Sequence, residues 1–102
     1  MTKKIIVVAG TFNLPIENRE AARNAMQTMV EKSRAEAGCI LYSYAFDLLD
    51  ESLVHFIEKW ESREALQAHF EIKHMEEWRS TWPKLGVVGR SANLYEAEEE
   101  SF

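Results

Sequence analysis

The chain has 102 residues, 46% of them hydrophobic, which is enough for one domain with its own core and too many for a disordered segment. Its net charge is −5 and its only adjacent basic residues are Lys3 and Lys4, so we expect no nucleic-acid partner, because phosphate binding needs a basic face. No apolar stretch approaches the roughly 20 residues of a membrane span, so we expect no membrane contact. No small-residue cleavage site of a signal peptide follows Lys4, and the single cysteine fits a reducing compartment. We therefore expect a cytoplasmic protein.

The first half of the chain predicts a strand and then a helix. Residues 4–12 are apolar and β-branched, which is typical of a buried strand, and residues 13–15 interrupt it with a proline. From about Asn18 to Ala37, apolar residues recur at helical spacing. Gly38 follows the last turn, where a left-handed cap is favoured.

Residues 39–47 and 53–60 predict two further strands. The polar turn between them is short, so we expect an antiparallel hairpin. On the first of these strands, Tyr42 and Tyr44 share one side while Leu41 and Ala45 share the other. Both sides of the sheet are therefore substantially apolar.

The second half predicts a second helix and a last strand. Ser62 is a good N-cap for the helix. Residues 73–82 predict either its continuation or a separate helical turn, ended by Pro83 and Gly86. The last strand runs from about Val87 to Ala97, and we expect the acidic tail at about 97–102 to be frayed.

The predicted order is β-α-β-β-α-β over a single domain, 1–102. This α+β order is typical of the ferredoxin-like fold, a four-stranded antiparallel sheet with the helices on one face. The helices cover only one of the two apolar faces. An uncovered apolar face usually has a partner, and a second copy is the simplest one, so we expect a homodimer.

One stretch of the chain resembles the antibiotic biosynthesis monooxygenase (ABM) family. The matching residues are Glu36-Ala37-Gly38-Cys39, Tyr42, Phe56-Ile57-Glu58-Lys59-Trp60-Glu61-Ser62, Ala65-Leu66-Gln67-Ala68-His69 and His74-Met75. They cover about residues 36–78, and the flanking elements fit in order and length. The small quinol monooxygenases of bacteria are the most similar branch.

The resemblance implies a dimeric α/β barrel and several reactions. The family contains cofactor-independent oxygenases that convert hydroquinone-like aromatics to quinones with O2, haem-degrading enzymes, and an isomerase of a phosphorylated signal. The haem-degrading branch uses an asparagine on the first strand and a tryptophan–histidine pair on the second helix. Here Ala9-Gly10, His69 and Arg79 stand near those positions, so haem degradation is not expected.

His69 is the first candidate for chemistry. It lies on the inner side of the second helix beside Leu66 and Phe70, where it is either a packed core histidine or, as the resemblance implies, a base facing the cavity. His74 is about 140° away on a continuous helix, so the two cannot form an i, i+4 metal pair. If the helix breaks near residue 72, His74 turns back toward the pocket; otherwise it is a surface or capping histidine.

Glu58 is the second candidate, because a glutamate among apolar neighbours is costly unless it is paired. It shares a strand face with Trp60, which is either core or part of the substrate site. His55 faces the other way, toward the expected dimer side. The remaining candidates for the substrate site are Tyr42, Trp78 and Asn93, and Trp82 lies on the stripe of Trp78.

The predicted function is a cofactor-independent monooxygenase of small aromatic hydroquinones, with His69 and Glu58 as catalytic residues and O2 as the second substrate. No metal or nucleotide motif is present, and Cys39 has no cationic neighbour in sequence. Two alternatives remain open. One is an isomerase or lyase of a phosphorylated or polyhydroxy carbonyl compound, held by Lys73 or Arg79, and the other is a non-enzymatic ligand-binding dimer.

Overall fold

Four strands form one antiparallel sheet in the computed structural model, which describes residues 3–102. The first two residues of the predicted domain lie outside the described part. The strands are β1 (Lys4–Asn13), β2 (Cys39–Phe46), β3 (Leu53–Trp60) and β4 (Val88–Glu98), and their order across the sheet is β2-β3-β1-β4. This order is the ferredoxin-like one, and the predicted fold class and hairpin are confirmed.

Three helices accompany the sheet: α1 (Arg19–Arg34), α2 (Arg63–Glu71) and α3 (Lys73–Leu85). A short 3-10 turn, Ile16–Asn18, precedes α1. The predicted end of α1 at Ala37 is wrong by three residues. Gly38 has the left-handed φ of +82°, but it lies in the loop after the helix, where a Cβ would be 2.6 Å from the Ala65 Cβ.

The chain breaks between α2 and α3 at one residue. Ile72 is extended, with φ −75° and ψ 150°, so α3 starts in a new direction. Of the two alternatives, a separate helix is therefore the one observed. Pro83 was expected to end it, but Pro83 lies within its last turn, and α3 ends at Gly86 with a left-handed φ of +73°. At the other end of α2, the Ser62 hydroxyl accepts a hydrogen bond from the Ala65 N–H, as the cap predicts.

The core lies between one sheet face and the helices. The inward residues of three strands and the apolar stripes of the helices form a single cluster. Its largest fully buried side chains include Trp60, Tyr42, Phe12 and Met29. Ala22, Met26, Met29 and Ser33 of the predicted stripe on α1 are all buried.

The other sheet face has no helix on it. Ile57 and Tyr95 on this open face are 38% and 53% exposed. β4 continues through residue 98, and Glu96 and Glu99 form ion pairs with Arg63 and Lys59. The frayed tail predicted from residue 97 therefore begins too early. Among the described residues, no helix has both the length and the apolar character needed to cross a bilayer.

Candidate active site

Glu36 joins the two histidines that the sequence singles out. It lies in the loop between α1 and β2, and its Oε2 is 2.7 Å from His69 Nδ1 on α2 and 2.7 Å from His74 Nε2 on α3. Of these side chains, 7% of Glu36, none of His69 and 11% of His74 is exposed. His74 reaches the carboxylate because the extended Ile72 turns α3 back toward the loop.

His69 has one nitrogen without a partner. An ionised Glu36 has no hydrogen to donate, so both imidazoles donate to it, and a neutral His69 then carries its lone pair on Nε2. This Nε2 is buried and, within the described residues, forms no hydrogen bond. It is 3.9 Å from Glu58 Oε1, too far for a hydrogen bond. The Glu36 contact thus orients a free basic nitrogen toward Glu58.

Glu58 lies on the inner face of β3 and is 3% exposed. The Trp60 indole N–H donates to its Oε1 at 3.0 Å. Burial raises the pKa of Glu58, and the Trp60 hydrogen bond and the neighbouring His69 oppose that rise only in part. A carboxylate whose pKa is raised is a stronger base once it is ionised, which suits it to accept a proton.

A small cavity lies between the sheet and α3, with Glu58 in its wall. Its free volume is about 10 Å³, roughly the room of one water molecule. Most of its lining is aromatic or apolar, and the polar members are the hydroxyls of Tyr42 and Tyr44, Glu58, the Trp82 indole and Arg90. The Trp82 Nε1 is buried without a hydrogen-bond partner among the described residues, so a donor remains free beside the cavity.

The two tyrosine hydroxyls form a pair 3.1 Å apart. Burial raises the pKa of both phenols, that of Tyr44 to about 12 and that of Tyr42 further still. Both hydroxyls therefore stay protonated at neutral pH. A protonated hydroxyl at a cavity wall can donate a hydrogen bond to a ligand oxygen that gains negative charge.

The predicted site residues fall into three groups. Glu58, Tyr42 and Trp78 line the cavity, and His69 lies behind Glu58. Trp60 is fully buried and donates a hydrogen bond to Glu58. His74 forms a hydrogen bond with Glu36 and lines a surface groove. The remaining residue, Asn93, was expected to point into the cavity.

The expectation for Asn93 is wrong. It pairs with Ala9 in the sheet register, whereas the inward residue of β1 is its neighbour Val8. Side chains alternate along a strand, so Asn93 lies on the open face, and it is exposed there. Lys73 and Arg79, the cations of the isomerase alternative, are also absent from the cavity lining: Lys73 is 88% exposed and pairs with Glu77.

Glu36 is the member of the candidate site that the sequence did not identify. Its histidine partners are 33 and 38 residues away, too far for any local pattern to connect them. The one available signal was its place at the first position of Glu36-Ala37-Gly38-Cys39, in the motif that resembles the ABM family.

The same three side chains are a possible set of metal ligands. The ligating atoms of Glu36, His69 and His74 lie within 4.8 Å of one another, and zinc accepts two imidazoles and a carboxylate. The contacts of 2.7 Å are those of hydrogen bonds, and both histidines share one oxygen. Hydrogen bonding therefore accounts for the cluster, and the absence of a metal stays a prediction.

The chain combines a ferredoxin-like fold with a buried histidine–carboxylate cluster beside an aromatic cavity. The family model described as antibiotic biosynthesis monooxygenase, ABM, matches residues 5–81. The chain therefore belongs to the ABM family.

Comparison with individual proteins gives one sequence relative and a consistent fold. The uncharacterized protein sll1783 of Synechocystis is 33% identical over 94 residues, which are 92% of this chain and 64% of that protein. An ABM-family protein from Deinococcus radiodurans has a TM-score of 0.88 at 23% identity, over 95% of this chain and 96% of its own. Rv0793 from Mycobacterium tuberculosis has a TM-score of 0.81 at 24% identity, over 98% and 100%. These structures support the fold alone.

Proposed function

We propose that the chain is a cofactor-independent monooxygenase that oxidises small aromatic hydroquinones with O2. The observation that carries the proposal is the carboxylate of Glu58, which is buried, has a raised pKa, lines an aromatic cavity and is backed by the free Nε2 of His69. A buried base with a second base behind it is suited to remove a phenolic proton in a site that excludes water.

In the proposed reaction, Glu58 accepts the proton of a substrate hydroxyl, and the one O–H of the tyrosine pair that is not used within the pair donates a hydrogen bond to the resulting phenolate. Contraction of the 3.9 Å gap by about 1 Å lets Glu58 pass the proton to His69 Nε2. The electron-rich phenolate reduces O2 directly. One oxygen atom enters the ring and the other leaves as water, so a hydroquinone and O2 yield a hydroxyquinone and H2O.

Substrate entry requires the cavity to open, because an aromatic ring does not fit a volume of about 10 Å³. Helix α3 supplies Met75, Trp78 and Trp82 to the lining. Its connection to α2 is the single extended residue Ile72. An outward displacement of α3 about this residue breaks the contact between His74 and Glu36 and enlarges the cavity without disturbing the sheet that carries Glu58. Helix displacements of this kind are a common way to admit a ligand.

Oxygen uptake with a panel of quinols tests the reaction. We expect wild-type protein to consume O2 and to incorporate one atom of labelled oxygen into the product. His69→Asn keeps an amide N–H that can reach Glu36 but has no counterpart of Nε2, so its kcat should fall by about 10²-fold or more. His55→Asn is the control on the opposite sheet face, since His55 is exposed there and, within the described residues, is bonded only to Asp47.

Two results count against the reaction. If no quinol is consumed, or if the His69 and His55 variants are equally active, His69 has no part in turnover. Release of hydrogen peroxide in place of labelled product would indicate an oxidase, because a quinone and peroxide account for the same atoms without insertion of oxygen into the ring.

The open sheet face is the proposed dimer interface. Ile57 and Tyr95 leave apolar area there that no described residue covers, and pairing two such faces closes a sandwich. We expect light scattering to give the mass of a dimer at micromolar concentration, and Ile57→Lys to shift it to a monomer, because the interface would bury an unpaired charge.

Ile16→Lys is the control for the dimer experiment. Ile16 is also exposed, at 51%, but it lies in the turn before α1 and not on the sheet. A monomeric wild-type protein, or equal effects of the two lysines, would place the interface elsewhere.

A further inference from the structure

A second and larger pocket lies outside the catalytic cavity. It is a surface groove of about 280 Å³ between α1 and the edge strand β2. We call it the arginine groove after Arg19, Arg23 and Arg34, which line it together with Tyr44 and Phe46. Its volume is enough for a one- or two-ring ligand.

The charge of the arginine groove is opposite to that of the protein. Three of the six arginines of a chain with net charge −5 line this one groove. Arg19 and Arg23 also lie in the first turns of α1, where the helix dipole disfavours cations. Glu20 pairs with Arg23, but 83% of its side chain is exposed, so solvent screens the pair. Two of the three arginines of the groove therefore lie where the helix dipole disfavours them, while Arg34 lies in the last turn of α1, where the dipole favours a cation.

Some of the arginine donors in the groove have no acceptor. Arg19 Nε is buried and has no hydrogen-bond partner among the described residues, while a terminal nitrogen of Arg19 donates to the Glu51 carbonyl. Arg34 donates through Nε to the Tyr42 carbonyl, which leaves its terminal nitrogens for another acceptor. Glu31 is the one carboxylate in the lining, and it already accepts a hydrogen bond from Gln27. The three arginines and Glu31 together give the lining of the groove a net charge of two positive charges.

Aromatic rings complete the lining. The Arg19 guanidinium stacks on the Phe46 ring at 3.7 Å, which holds the cation flat, and one of its terminal nitrogens already donates to the Glu51 carbonyl. The other ring, Tyr44, lines both this groove and the catalytic cavity. A planar arginine edge beside two rings suits a ligand that combines an anionic group with an aromatic ring.

We propose that the arginine groove binds a small aromatic anion, with its carboxylate or phosphate on the arginines and its ring against Phe46 and Tyr44. The site is distinct from the cavity that contains Glu58, and its occupancy does not depend on the proposed oxidation. Because Tyr44 forms a wall of both, a ligand in the groove lies one side chain away from the cavity.

Calorimetric titration with 2-naphthoate tests the site, with 2-naphthamide as the neutral analogue of the same shape. We expect 2-naphthoate to bind about 10-fold more tightly, because charge-assisted hydrogen bonds exceed neutral ones. Its affinity should fall when NaCl rises from about 0.05 to about 0.5 M, as expected for partly exposed charges. Inorganic phosphate, which has charge without a ring, should bind at least about 10-fold more weakly than 2-naphthoate.

Arg23→Gln is the test variant and Arg63→Gln its matched control. Both arginines have 61% of the side chain exposed, and each pairs with one glutamate, so neither change should affect folding. We expect Arg23→Gln to weaken 2-naphthoate binding about threefold and Arg63→Gln to leave it unchanged. If 2-naphthamide binds as tightly as 2-naphthoate, or if the two variants change the affinity equally, the groove is not an anion site. If inorganic phosphate binds as tightly as 2-naphthoate, the proposal that the ligand is aromatic is wrong.

Discussion

Replacing Glu36 by leucine is expected to lower the free energy of unfolding by about 3–5 kcal/mol, because an unsatisfied buried donor costs about 1–3 kcal/mol and two histidines lose their acceptor. The loss is large because His69 and His74 would both remain in the interior without their acceptor. Urea denaturation followed by circular dichroism measures it. The midpoint should fall at unchanged slope, since the folded structure is otherwise the same.

Two further variants separate the charge of Glu36 from its hydrogen bonds. Glu36→Gln keeps one acceptor oxygen, so it should lose only about 1–2 kcal/mol. Glu31→Leu, an exposed glutamate of α1 bonded only to Gln27, should change stability by less than about 0.5 kcal/mol. Similar losses for the leucine variants at positions 36 and 31 would show that the cluster does not stabilise the fold.

Replacing Glu58 by glutamine is expected to lower kcat by about 10²–10⁴-fold and at the same time to stabilise the protein at neutral pH. The glutamine oxygen can still accept the Trp60 N–H, so the local geometry is retained. It cannot accept a substrate proton. Steady-state oxygen uptake gives the first effect, and thermal unfolding of wild type and variant gives the second.

The stability effect has a defined pH dependence. Burial raises the pKa of Glu58 above its ordinary value of 4.5, so between these two pKa values the folded protein holds a proton that the unfolded chain has lost. Wild-type stability therefore falls, relative to Glu58→Gln, as the pH rises from about 4 through the raised pKa. A stability difference that is the same at about pH 4 and about pH 7 would show that the pKa of Glu58 is not raised.

Most of the fold could be predicted from the sequence, because the patterns that mark its strands, helices and turns are local. Alternating apolar residues on the strands, the Ser62 cap and the short hairpin turn each act within a few residues. Pro83 and Asn93 show where local signals fail. Pro83 is tolerated near the end of α3, and the direction of Asn93 depends on its register with β1, which no segment of β4 encodes by itself.

Part of the candidate site could also be predicted from local patterns. Glu58 stood out because a carboxylate in an apolar strand violates the pattern around it, and His69 because it lies on a helix stripe. The Glu36 bridge was not accessible, since it forms only when the Ile72 break brings α3 back to the loop after α1. The arginine groove likewise joins residues of α1 and β2 that show no common pattern.

The bridge at Glu36 also bears on which parts of the protein open together. One oxygen atom ties the α1–β2 loop, α2 and α3, so a fluctuation that frees any one of them breaks a buried contact of another. In native-state hydrogen exchange, amides of α2 and α3 should therefore share one opening free energy and not two. The break at Ile72 divides these helices in geometry, while the shared carboxylate unites them as one cooperative unit.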